Sequence, residues 1–116
     1  MDPSQLRSAI STMKTVAISA TTGAGATNTI IHDTSAGLYF VVFHLFLTTS
    51  AAVSVTIKSS TSTPLTGAIP MVAGSDLEWS GGDVPLFKGR AKGDDFVIGT
   101  SGVTDLAGFA VICEAT

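Results

Sequence analysis

Charge is scarce in this sequence. Of its 116 residues only 13% are Asp, Glu, Lys or Arg, about half the usual share of a globular protein. Charge keeps a monomer soluble and apart from its neighbours. A chain this poor in it either hides its outer surface in an assembly or stays soluble through a coat of Ser and Thr hydroxyls. The first reading is favoured, because large exposed apolar patches are rare on monomers. Six Lys and Arg stand against nine Asp and Glu, with no basic run, so direct nucleic-acid binding is not expected.

Other absences narrow the field further. The single cysteine, Cys113, has no internal partner, so nothing points to an oxidising compartment. The N-terminal MDPSQLRSAISTMK lacks the uninterrupted apolar stretch of a signal peptide. The longest apolar run, Leu38–Leu47, is broken by His44 and has about half the length a membrane-spanning helix needs. The expectation is a soluble protein made in a cytoplasm, with no membrane partner.

No catalytic, cofactor or metal site is expected. His32 and His44 are the only histidines, too few for the converging ligands of a cupin-type metalloenzyme. His32-Asp33 reads as a solvated turn, and His44 as a hydrogen-bonded buried or interface residue. Asp94-Asp95 after Gly93 has no calcium-loop spacing and reads as a turn with an Asx cap. No serine sits in a nucleophile elbow and no phosphate-binding loop is present. Cys113 reads as a small core residue, and the glycines read as turn residues.

What is present is strand. Residues 1–13 stand apart: Asp2-Pro3 suits a helix start, and Leu6, Ile10 and Met13 recur at helical spacing. They read as a short helix or a detachable arm that needs a docking surface, or equally as a frayed terminus. Residues 14–116 read as one domain of seven or eight strands, with turn signals every 8 to 12 residues. Val53, Val55 and Ile57 alternate cleanly with Ser54, Thr56 and Lys58, as in a half-buried strand. Leu38–Leu47 (LYFVVFHLFL) is apolar on both faces. One face, Leu38, Phe40, Val42 and Phe46 or its opposite, fills the core. The other, with Tyr39, Val41, Phe43, Leu45 and Leu47 or its converse, needs a cover. Leu65–Val72, Leu77–Trp79, Val84–Phe87, Phe96–Gly99 and a closing strand to Glu114 follow. The fold class is all-β: a single β-sandwich, jelly-roll-like, with an immunoglobulin-like sandwich as the alternative. Trp79 and Tyr39, the only residues of their kinds, are either core-edge groups or anchors for a sugar ring or receptor.

From Thr56 to Ala115 the runs TIKSSTSTPLTGAIPMVAGSDLEW, VPLFKGRAKGDDFVIGTSG and LAGFAVICEA resemble small β-sandwich proteins encoded among the virion genes of tailed bacteriophages. The matching positions are Leu65-Thr66-Gly67-Ala68-Ile69-Pro70, Ala73-Gly74, Phe87, Gly93-Asp94 and Gly108. The resemblance spans about half the chain and leaves out both the Leu38–Leu47 run and the N-terminal arm. It implies a capsid decoration (cement) protein or the shell-bound base of a head fibre. Such proteins are not enzymes. They sit as homotrimers on the capsid exterior of a virion and clamp subunits of the major capsid protein. On that reading the candidate interface residues are Leu6 and Ile10 of the arm with Tyr39, Phe43, Leu86 and Phe87. The alternative is a tail-tip or fibre module that binds carbohydrate or a host receptor through Trp79 and Tyr39.

Overall fold

A computed structural model describes residues 13–116. Leu6 and Ile10 lie outside the described residues. Ten strands follow one another: β1 (Lys14–Thr21), β2 (Thr27–His32), β3 (Tyr39–Thr49), β4 (Val53–Ser59), β5 (Thr63–Pro64), β6 (Ile69–Met71), β7 (Asp76–Ser80), β8 (Phe87–Lys88), β9 (Phe96–Thr100) and β10 (Asp105–Ala115). They build two antiparallel sheets. The first runs β1-β10-β3-β7 with β8 also on β3; the second runs β2-β9-β4-β5 with β6 also on β4. Because β5 and β6 share one position and β7 and β8 another, ten strands occupy eight places, four to a sheet. In those places the chain passes between the sheets in jelly-roll order, rather than in the immunoglobulin-like one.

The core lies where the inward faces meet. Phe40, Val42, Leu45 and Leu47 of β3 with Ile18, Leu106, Ala110 and Ile112 come from the first sheet; Val53, Val55, Ile57, Phe96 and Ile98 come from the second. β4 obeys its sequence pattern, with Val53, Val55 and Ile57 buried and Ser54, Thr56 and Lys58 half exposed. All five residues of β9 are buried because it lies between β2 and β4.

Neither alternation expected for Leu38–Leu47 holds through β3. On β10, Val111 faces His44 while its neighbour Ile112 faces Val42, so Phe43 is an extra residue opposite a closed step of the ladder. This β-bulge resets the parity of the strand. Ahead of it the even-numbered Phe40 and Val42 face the core; after it the odd-numbered Leu45 and Leu47 do. Phe46 therefore faces outward, opposite Phe109. A second irregularity lies in β2, where Ile30 faces Val97 and His32 faces Phe96. The step leaves Ile31 packed on the core and His32 buried beside it, so His32 does not sit in a solvated turn.

Three further expectations change. Leu65–Val72 is not one strand: only Ile69–Met71 pairs with β4 there. Val84–Phe87 contributes only Phe87 to a strand, and Val84 is exposed. Gly99 in β9 and Gly108 in β10 lie inside the strands expected there, so the reading of the glycines as turn residues fails for these two.

The two ends of the sandwich are closed by polar groups. At one end Thr104, 2% exposed, uses its hydroxyl to accept the amides of Ser50 and Ala51, both at 3.1 Å. Its own amide donates to Thr22 Oγ1 at 2.9 Å. At the other end the Asp95 carboxylate accepts the amide of Thr34 at 3.0 Å, and Ser59 donates its hydroxyl to Asp94 at 2.8 Å. Neither is the local Asx cap expected of Asp94-Asp95: both carboxylates bond to residues distant in sequence and tie their loop to neighbouring segments.

Candidate functional site

The bulge in β3 gives the first sheet an apolar outer face. Beside the bulge, Val41, Phe43 and Cys113 are buried although they point away from the main core, and Met13 and Ala115 pack against them. Further along, the strand pairing sets Phe46 beside Phe109 with ring centroids 5.8 Å apart, and His44 lies 5.2 Å from Phe109 on its other side. His44, Phe109 and Phe46 form a half-buried aromatic row across β3 and β10. Val111 continues the row, and Ala17 of β1 stands opposite Phe109. Glu78 of β7 is the nearest carboxylate, 3.8 Å from His44. The ring nitrogen Nε2 of His44 is buried and makes no hydrogen bond among the described residues. Aromatic side chains such as these are enriched at the centre of protein interfaces.

The other predicted residues sit apart from one another. Tyr39 is half buried at the start of β3, with the Lys88 ammonium 4.4 Å above its ring, a cation–π contact. Phe43 is 1% exposed, so in a single subunit it is covered by Met13 and offers no free surface. Phe87 and Trp79 pack on one another at 5.6 Å along the edge of the main core. Leu86 is half buried in the loop that donates its amide to Val42. Trp79 and Tyr39 form no shared platform: one faces the core edge and the other lies beneath a lysine.

His32 and Glu114 meet across the two sheets. His32 Nε2 lies 3.0 Å from Glu114 Oε1, and the Ser35 amide and hydroxyl also reach that carboxylate at 3.3–3.4 Å. An ionised carboxylate only accepts, so the imidazole Nε2 carries the hydrogen. Burial by itself would raise the Glu114 pKa. The hydrogen bonds from Ser35 and His32 outweigh it and hold the carboxyl below its ordinary 4.5. A depressed carboxylate pKa stabilises the fold above the unfolded-state value and loses that contribution as pH falls through the folded one. Glu114→Gln is therefore expected to lower unfolding stability at pH 7 by about 1–2 kcal/mol. The gap between variant and parent should close as the pH drops below the range in which Glu114 ionises. Urea unfolding at a series of pH values from neutral to acid measures both. A gap that stays constant on acidification would refute the linkage.

Neither histidine joins a metal set: no group of three His, Cys, Asp or Glu side chains is placed to hold an ion among the described residues. Cys113 is buried, and desolvation together with the neighbouring Glu114 charge pushes its thiol up to about 11. It is protonated at neutral pH and packs as a small apolar group. No helix among the described residues is long and apolar enough to cross a membrane.

No family model, no curated protein and no solved structure matches the chain.

Proposed function

We propose that the protein is a structural virion component that decorates the outside of a bacteriophage capsid as a homotrimer bound to the major capsid protein. The observation that carries this reading is the outer face of the first sheet, where His44, Phe46 and Phe109 form an aromatic row with one carboxylate at its border. The scarcity of charge supports it, since outer surfaces hidden in an assembly do not need charge. The resemblance of Thr56–Ala115 to decoration proteins of tailed phages supplies the location on the capsid and the threefold state. Polar contacts at both ends and a part-buried His32–Glu114 pair fit a rigid block better than a machine that moves. The carbohydrate reading through Trp79 and Tyr39 has less support, because neither ring is presented free.

The test is mass measurement by size exclusion with light scattering, followed by co-sedimentation with phage capsids stripped of their decoration. The expected species is about 35 kDa, three copies of an 11.8-kDa chain, and it sediments with the capsid. Phe109→Asp places a charge in the aromatic row and is expected to abolish the assembly or the capsid binding while leaving the circular dichroism of the fold intact. A stable monomer with no affinity for capsids overturns the reading.

A further inference from the structure

The outer face of the second sheet is unlike that of the first. It carries the exposed Ile30 beside Val97 and, next to them, one lysine set in a hydroxyl-lined groove of about 220 Å³ formed by β2, β4 and β9. The floor is Gly99. Its lack of a side chain is what lets two long neighbours lie across the middle strand: a Cβ there would stand 3.0 Å from Lys58 Cε and 3.1 Å from Asn28 Oδ1. Lys58 occupies that space and donates from Nζ to Asn28 Oδ1 at 2.9 Å and to the Thr61 carbonyl at 3.4 Å. An ammonium has three hydrogens to donate, so one is left. Among the described residues no carboxylate pairs with Lys58, and none lines the groove. Thr56, two residues before Lys58 on the same face of β4, has a hydroxyl with no hydrogen-bond partner among the described residues. Ser54 and Thr27 complete the rim.

We infer that this groove binds a small hydroxylated anion, a single sugar ring bearing a carboxylate, with Lys58 taking the carboxylate and Thr56 a ring hydroxyl. The charge follows from the lysine: its ammonium is positioned by Asn28 but not neutralised, and in a chain of net charge −3 it is a local site for the opposite sign. The hydroxyls follow from the rim, since Ser and Thr both donate and accept as a sugar does. The size follows from the volume, which is below the ~300 Å³ at which pockets for drug-sized molecules begin. No aromatic side chain lines the groove, so stacking contributes nothing and recognition is by hydrogen bonds alone. The site stands on the opposite sheet from the aromatic row and does not depend on the capsid reading.

Titration of the full chain with glucuronate, glucose and inorganic phosphate, followed by amide NMR shifts, tests this. Glucuronate is expected to shift the amides of Asn28, Thr56, Lys58 and Gly99 with saturation in the millimolar range. Glucose should bind at least tenfold more weakly, the effect of one charged hydrogen bond. Lys58→Met should weaken glucuronate by a similar factor, and Gly99→Ala, which displaces both Lys58 and Asn28, should weaken it as well. Spectra of each variant that overlay the parent outside the groove show that the fold is intact. Absence of shifts with glucuronate, or binding that Lys58→Met leaves unchanged, overturns the site. Phosphate binding as tightly as glucuronate overturns the assignment of a sugar ring.

Discussion

Gly108→Ala is expected to leave little folded protein. Gly108 lies in the middle of β10 with φ +145°, a conformation that side chains rarely adopt. A Cβ added there would overlap the carbonyl oxygen of Phe46, lie 2.8 Å from its carbon and stand 3.1 Å from Leu47 Cα. Those atoms are backbone, and they belong to β3, the strand held between β10 and β7. No rotamer change relieves such a clash; two central strands must separate. Strain at the dihedral costs about 1–3 kcal/mol, and loss of the close β10–β3 pairing adds to it, so a total above about 4 kcal/mol is expected. Small domains have only about 5–15 kcal/mol of net stability. Urea unfolding of whatever soluble protein is recovered measures the loss. Gly67→Ala is the control, because nothing lies within 4 Å of a Cβ at that exposed position. It should change stability by no more than about 0.5 kcal/mol. Equal effects from the two substitutions would show that the Gly108 contact is not a constraint.

Phe40→Ala is expected to cost about 3–5 kcal/mol. Phe40 is fully buried and meets Phe96 of the second sheet edge to face, with centroids 5.4 Å apart and ring planes at 62°. The pair joins the two sheets, so truncation removes apolar burial, an aromatic contact and the filling of a space in the core between them. Phe109→Ala provides the comparison. Its ring is half buried and points away from the core, so unfolding stability should fall by about 1 kcal/mol or less. If the outer face is an interface, that same change should weaken self-association. One phenylalanine then reports on the fold and the other on assembly. A Phe109→Ala variant as unstable as Phe40→Ala would place the aromatic row in the folding core instead.

The sequence told most about segments whose pattern is local. β4 is legible because Val53, Val55 and Ile57 alternate with polar partners without interruption. The class of the fold followed from the spacing of strands and turns, and the need to cover both faces of Leu38–Leu47 followed from its composition. What escaped depended on partners far along the chain. The bulge at Phe43 exists only relative to β10, whose residues lie about seventy positions away, and without it the faces of β3 are assigned wrongly from Leu45 on. His32 and Glu114 are 82 positions apart, and nothing in HDTSAG distinguishes a buried histidine from a solvated one. Gly99 and Gly108 fall within expected strands, but what each does there is not local; their roles come from Lys58 and Phe46 on neighbouring strands. The candidate residues Tyr39, Phe87 and Trp79 were chosen for being aromatic, whereas the row on the outer face comes from Phe46 and Phe109, which become neighbours only when β3 and β10 pair.

A strand that is apolar on both faces carries little information about its own alignment. In most sheets a slip of one residue is forbidden because it would drive polar groups into the core and apolar ones into water. In the first half of β3 the same slip would exchange Phe40 and Val42 for Val41 and Phe43, and there the hydrophobic effect would hardly register the difference. Alignment must then be encoded in the backbone. Gly108 admits the main chain of β3 at only one point, opposite Leu47, and the extra residue at Phe43 fits only the step between Val111 and Ile112. The two features act as a pair of notches on a key whose shaft is otherwise smooth. Oily side chains supply the adhesion between β3 and β10, and a missing side chain and an inserted residue supply the address.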